Sequence, residues 1–301
     1  MKLVKKINQM IFHCELDSER FLFADNKKLM ILNPKFEIIQ TIPFRNLSNA
    51  LQLWDKTLLI NTKDQFFYLD NNDYLIEKAP LKFKGGTAII KKTRIDDIIF
   101  LYLAFTPYIY CFKKSSTVCK INIPEKDFLP FLIFGIESKQ FHCIFSDGRD
   151  KHDLKTKLLT YKFDEENFFA FDNDLISRYT DFLEYSHKEK LYICLNKMHL
   201  QLINKELNEV LYNFDTSMIS DSLLTAIYIE DKDIVLLRDW NKLYAFNIKN
   251  HEIKVLIDTE DTLGTVTYYN EKYNYLFQLI ADKNNVYDEK FHTAVYKINH
   301  D

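Results

Sequence analysis

The stretch LLTAIYIEDKDIVLLRDWNKLYAFNIKNHEIKVLI, residues 223–257, decides the fold. It reads as four strands and three polar turns. Leu223–Glu230 is apolar, Asp231 and Lys232 turn, and Asp233–Leu237 is apolar again. Arg238–Asn241 turns, Lys242–Asn247 (KLYAFN) is the third strand, and His251–Ile257 (HEIKVLI) is the fourth. Strands this short, joined by polar turns, make an antiparallel meander.

Working outward, the same order recurs over residues 9–42, 49–78, 87–123, 131–171, 180–214 and, one strand short, 264–298. The second strands begin at residues 20, 57, 97, 140, 188, 233 and 273, a spacing of 37–48 residues. A period of about 40–45 residues with four strands per repeat is the signature of propeller blades. The second strands (FLFA, TLLIN, IIFLYLA, LYICL, IVLL, YLFQLI) are apolar on both faces, as a strand sandwiched between neighbouring sheets must be. The fourth strands carry Glu37, Glu77, Lys120, Glu209, Glu252 and Lys254, as outer edges should. The last repeat ends at Phe291–Ile298 without a fourth strand, and Leu3–Ile7, flanked and punctuated by Lys2, Lys5 and Lys6, is a strand without a repeat. Pairing the two removes an open edge.

The pattern resembles the seven-bladed β-propeller superfamily in its WD-repeat-like and quinoprotein-like forms. The third strands KLYAFN and KLMILN (28–33) look like the aromatic and aliphatic third strands of such blades. The Gly-His and Trp-Asp markers of WD repeats are absent; Asp239-Trp240 has the reversed order and occurs once. The expectation is one all-β domain, 1–301. It is a seven-bladed β-propeller of four-stranded antiparallel blades, its ring closed by the N-terminal strand in the last blade. Six or eight are the neighbouring counts.

Composition narrows the function. With 40 Lys and Arg against 43 Asp and Glu, the net charge is −3, without the basic excess of a sequence-independent nucleic-acid binder. The longest apolar stretch, residues 98–112, is interrupted by Thr106-Pro107 and is shorter than the ~20 residues of a membrane helix. No nucleic-acid partner and no membrane partner are expected. Five cysteines at 14, 111, 119, 143 and 194, an odd number without a Cys-x-x-Cys pair, read as free thiols in a reducing, cytoplasmic compartment. Only 5 glycines serve a chain full of turns, so Asn, Asp and Lys must turn it.

In a propeller meander the connections from fourth to first strand and from second to third share one face. Here that set holds the long loops, among them 43–48, 79–86, 124–130, 147–156, 172–179, 215–222 and 281–290. Long loops on a rigid scaffold carry binding residues, so this face is the expected working face. Its candidate partner-binding residues are Arg149 and His152 in the loop DGRDKHD (147–153), Arg178, Asp221, Arg238, Trp240, Asp258, Glu260 and Asp261. Trp and Arg are favoured binding anchors, and the carboxylates suit a basic partner. Phe44 and Phe128 are further anchors.

There is no Gly-rich phosphate loop, no Gly-x-Ser-x-Gly elbow, no calcium loop and no zinc spacing. No cofactor, no metal and no catalytic set is expected. The reading is a non-enzymatic protein-binding propeller of the bacterial cytoplasm, with an immunity protein that blocks a toxin domain as one form of it. The alternative is a hydrolase or lyase whose site is assembled across blades at the central channel mouth.

Overall fold

Each repeat forms a four-stranded meander in the computed structural model of the chain. The structure describes all residues except 18, 53–56, 64, 80–88, 96–97, 104–105, 114–118, 124–127, 138–139, 148–155, 163–164, 172–179, 197–198, 207–208, 221–222, 284–289 and 299–301. Among the described residues there are seven four-stranded antiparallel sheets. Six are sequential meanders within 11–43, 49–78, 89–122, 128–171, 180–215 and 225–258. The other takes three strands from 262–297 and its fourth from Lys2–Asn8, which pairs antiparallel with Phe291–Lys297, Ile7 opposite Thr293. The chain falls into two compact units, 1–82 with 227–301, and 83–226.

The second strands behave as their composition demands. Phe21, Leu22, Phe23, Leu58, Ile60, Val235, Leu237, Leu276 and Phe277 are fully buried, on both faces of their sheets. Core clusters therefore lie between sheets. In the first unit one joins the sheet of 262–297 to that of 11–43, a second joins 11–43 to 49–78, and a third joins 225–258 to 262–297. At the first of these seams Phe12 stacks on Phe277 at 4.4 Å and on Tyr268 at 4.9 Å. The buried Thr293 hydroxyl donates to the Met10 carbonyl at 2.7 Å and accepts from Phe12 N–H at 3.3 Å. Nearby, Glu15 accepts from the Tyr268 hydroxyl and the Asn270 amide, both at 2.8 Å. Burial and the adjacent carboxylate push the Tyr268 phenol far above its usual range.

The outer strands carry exposed aliphatic residues, yet their edges are blunted. The register slips by one residue at Val4, at Ile39 and at Leu211. Such bulges twist an edge away from flat pairing. In the first strand Lys2, Lys5 and Lys6 add charge, and only Ile7 of Lys2–Asn8 is buried.

The turns explain the scarcity of glycine. At three third-to-fourth connections among the described residues an Asn or Asp side chain caps the loop. Asn33 Oδ1 accepts from Lys35 and Glu37, Asp70 Oδ1 from Asn72, and Asn247 Oδ1 from Lys249 and Asn250. The loop then closes through Phe36, Tyr74 or His251, whose N–H bonds the carbonyl of that Asn or Asp at 2.8–3.0 Å. These three residues have φ of 61°, 62° and 61°, the left-handed region. The expectation that Asn, Asp and Lys occupy such positions holds at Asn46, Lys190, Asp233 and Asn274, but aromatic rings take the three loops. A bulky side chain there costs roughly 1–2 kcal/mol, and packing offsets it at Phe36. Its ring is buried against Tyr275 at 5.3 Å and Phe21 at 6.2 Å. His251 is exposed, with its ring stacked on Phe246 at 6.3 Å.

Glycine should therefore act in opposite directions at two equivalent positions. His251→Gly should stabilise by up to about 1 kcal/mol, whereas Phe36→Gly should cost about 2–4 kcal/mol. Urea midpoints read both. A second expectation concerns alkali. Because the folded Tyr268 phenol ionises above the unfolded value of about 10, its contribution is complete below that pH and is lost as pH rises through the folded value. The stability gap between the protein and Tyr268→Phe, about 1 kcal/mol at pH 8, should shrink above pH 10 in urea titrations.

Candidate protein-binding face

The strand Ile234–Arg238 ends in a turn over 239–241, and Lys242–Asn247 returns. Asp239 N–H bonds the Lys242 carbonyl at 2.9 Å, closing the turn. The bend 259–261 lies against it. Thr259 N–H donates to the Asn241 carbonyl at 3.1 Å, and Leu263 N–H to the Trp240 carbonyl at 2.6 Å. Asp261 N–H is held by Thr259 Oγ1 at 3.2 Å. The backbone at Trp240 is thus pinned on two sides, while its side chain is 57% exposed.

Carboxylates lie on the turn that bears this ring and on the backbone bonded to it. Asp239 precedes it, and Glu260 and Asp261 sit on the bend bonded to its turn. Asp258 ends the neighbouring strand opposite Lys242 and pairs with it at 3.3 Å. An amphipathic indole on a rigid mount, rimmed by four acids against one paired lysine, is a surface that can bury an aromatic contact and attract cations.

Arg238 requires a correction. Expected as an exposed anchor beside Trp240, it is buried at 4% exposure and donates to the Leu263 carbonyl at 2.7 Å. Its strand is buried on both faces, so the last side chain turns inward. Its Nε has no hydrogen-bond partner, and burial lowers its pKa despite Asp239. Arg238 is a strut between two sheets of the same unit and holds the residue that holds Trp240. Phe44 also packs inward, edge-on to Phe67 at 5.4 Å. Of the other expected residues, Asp258, Glu260 and Asp261 share this surface with Trp240. Arg149, His152, Arg178 and Asp221 lie outside the described residues, as does the side chain of Phe128. Among the described residues no group of His, Cys, Asp and Glu side chains is arranged to hold a metal ion. Cys14, Cys111, Cys143 and Cys194 are unbridged, and burial raises the Cys143 thiol well above its usual range.

Sequence reasoning missed a second surface, at the opposite ends of the strands, where the connections are short. Asp17, Glu19, Arg20 and the turn 33–35 of the first sheet and Tyr273 and Tyr275 of the last frame an open groove of about 890 Å³. The two Tyr, one residue apart in sequence spacing i, i+2, were its sole visible signal.

No family model matches the chain, and no curated protein matches it. Solved structures do. The extracellular domain of the one-component system BT4673 from B. thetaiotaomicron superposes with a TM-score of 0.65 at 10% identity, over 98% of this chain and 39% of that one. Streptogramin B lyase superposes at 0.62 with 9% identity, over 97% and 96%. The dihydro-heme d1 dehydrogenase NirN, in complex with DHE, superposes at 0.60 with 10% identity, over 98% and 68%. The chain spans about two fifths of the length of the BT4673 structure. With these likenesses and its four-stranded antiparallel sheets, the protein is a β-propeller. At such identities the likeness concerns the fold.

The strut and the ring should separate stability from surface. Arg238→Ala strands the Leu263 carbonyl and should cost about 1–3 kcal/mol. Trp240→Ala, removing an exposed ring, should stay within about 0.5 kcal/mol. Urea denaturation of the two variants checks both.

Proposed function

We propose that this propeller is a non-enzymatic binding protein that holds a basic protein partner on the face bearing Trp240. The observation that carries the reading is one exposed indole, fixed by hydrogen bonds to its turn carbonyl and to the neighbouring bend, within a rim of Asp239, Asp258, Glu260 and Asp261. Such an anchor loses little entropy on binding, and its acids steer a cationic surface. A partner-blocking role, such as neutralising a basic toxin domain in the cytoplasm, is the form of this reading that matches a rigid, preformed surface.

The scaffold for it is a single ring. The seven sheets close as one seven-bladed domain, 1–301, with Lys2–Asn8 as the outer strand of the last blade. The packing of consecutive sheets within the first unit and the strand pairing at Phe291–Lys297 support this.

The test is affinity capture from the native host. The wild-type protein should retain a protein of basic pI at low salt. Trp240→Ala should weaken the complex at least tenfold, about 1.4 kcal/mol. Glu260→Gln with Asp261→Asn should slow association and flatten its salt dependence. Retention of the same partner by Trp240→Ala, or turnover of a small molecule without any partner, would sink the reading.

A further inference from the structure

We propose that the groove at the opposite ends of the strands, between the first sheet and the sheet of 262–297, is a binding site for a neutral oligosaccharide. Its wall is a plate of two rings. Tyr273 and Tyr275 lie nearly parallel, 21° apart, with centroids 5.6 Å apart. The plate is preformed. Tyr275 leans on Phe36 at 5.3 Å and donates its hydroxyl to the Pro34 carbonyl at 3.4 Å. Tyr273 meets Phe21 at 6.5 Å, and its N–H is fixed by Asn270 Oδ1 at 2.9 Å. Both rings are partly exposed to the groove they line.

The rim supplies both kinds of hydrogen-bonding group. Asp17 and Glu19, held by Arg20 and Lys272, keep further acceptor capacity, while Lys35 and the second N–H of the Asn33 amide, whose first bonds Glu37, can donate. Arg20 is already engaged: it reaches Asp17, the Asn71 carbonyl and the Tyr74 hydroxyl, and so shapes the floor instead of meeting a ligand. Both lining carboxylates are charge-compensated, Asp17 by Arg20 and Glu19 by Lys272 at 3.0 Å, so the groove presents no excess of negative charge. At about 890 Å³ it falls within the range that holds a small ligand or a few sugar rings.

These properties select the ligand class. A strongly anionic ligand meets Asp17 and Glu19, and a polycation meets Lys35 and Lys272, whose ammonium sits 5.3 Å from the Tyr273 ring centroid. A proline-rich peptide would use the plate but offers few donors, leaving unused the acceptor capacity that the rim carboxylates keep beyond their pairs with Arg20 and Lys272. A pyranose presents an apolar C–H face to an aromatic ring and hydroxyls at its edge that both donate and accept, matching plate and rim together.

Calorimetric titration of the full chain with maltohexaose, cellohexaose, xylohexaose and chitohexaose tests this. At least one should bind. Tyr273→Ala should weaken it at least about tenfold, while Tyr273→Phe should keep the affinity of the unaltered protein. Should Tyr273→Ala fail to fold, the paired surface change Glu19→Gln with Lys35→Ala serves instead and should weaken binding at least about threefold. Absence of binding by all four glycans at millimolar concentration overturns the proposal. So does unchanged binding in these variants, or binding of a proline-rich decapeptide in their place. None of these outcomes bears on the partner at Trp240.

Discussion

Burial of the second strand of a sheet on both of its faces is the constraint on which the rest depends. Phe277 and Phe21 are fully buried, and each needs an adjoining sheet to cover the face its own sheet leaves open. A single four-stranded meander could not supply that cover and would be marginal in water. The seam between Phe12 and Phe277 shows how the cover is built. Ring stacking removes apolar area from water, while Thr293 satisfies the Met10 carbonyl and the Phe12 N–H that stacking would otherwise strand. One hydroxyl ties the end of the chain to its beginning, which gives the N-terminal strand Lys2–Asn8 a neighbour even though it buries little beyond Ile7.

The same economy governs the turns. Short third-to-fourth connections force one residue into the left-handed region, where glycine would be free of strain. This chain places Phe36, Tyr74 and His251 there and lets an Asn or Asp side chain at the loop start hold the backbone. The ring then does what a glycine cannot. Phe36 fills the seam beside Tyr275, and the Tyr74 hydroxyl meets Arg20 from the neighbouring sheet at 2.8 Å. Strain at a turn is exchanged for contact between sheets.

The repeat was legible because it is written twice over, in apolar second strands and in polar turns at a regular spacing. The pairing of Lys2–Asn8 with Phe291–Lys297 followed from counting strands. The site was legible only in part. Trp240 and the acids at 258, 260 and 261 were readable because exposed turns keep their local sequence together. Arg238 was misread because adjacency to Trp240 says nothing about direction, and the final residue of a doubly buried strand points inward. The groove was illegible for another reason: Asp17 and Tyr273 lie at opposite ends of the chain, and nothing local to either stretch announces the other. The aromatic turn residues were missed because left-handed positions are expected to hold Gly, Asn or Asp.

The two surfaces differ in what holds them. The turn of Trp240 is fixed by main-chain bonds to the next sheet and by the Arg238 strut, so its indole stands out from a mount that costs little to keep rigid. The tyrosines of the groove are fixed by the core itself, through Phe21 and Phe36, and their exposed faces are the outer surface of a hydrophobic seam. A projecting ring amid carboxylates suits a large partner that can wrap it. A recessed plate with balanced charge suits a small ligand that can lie against it. The first rests on the seam between the sheets of 225–258 and 262–297 and the second on the seam between those of 262–297 and 11–43, so substitution at either surface should leave the scaffold of the other standing.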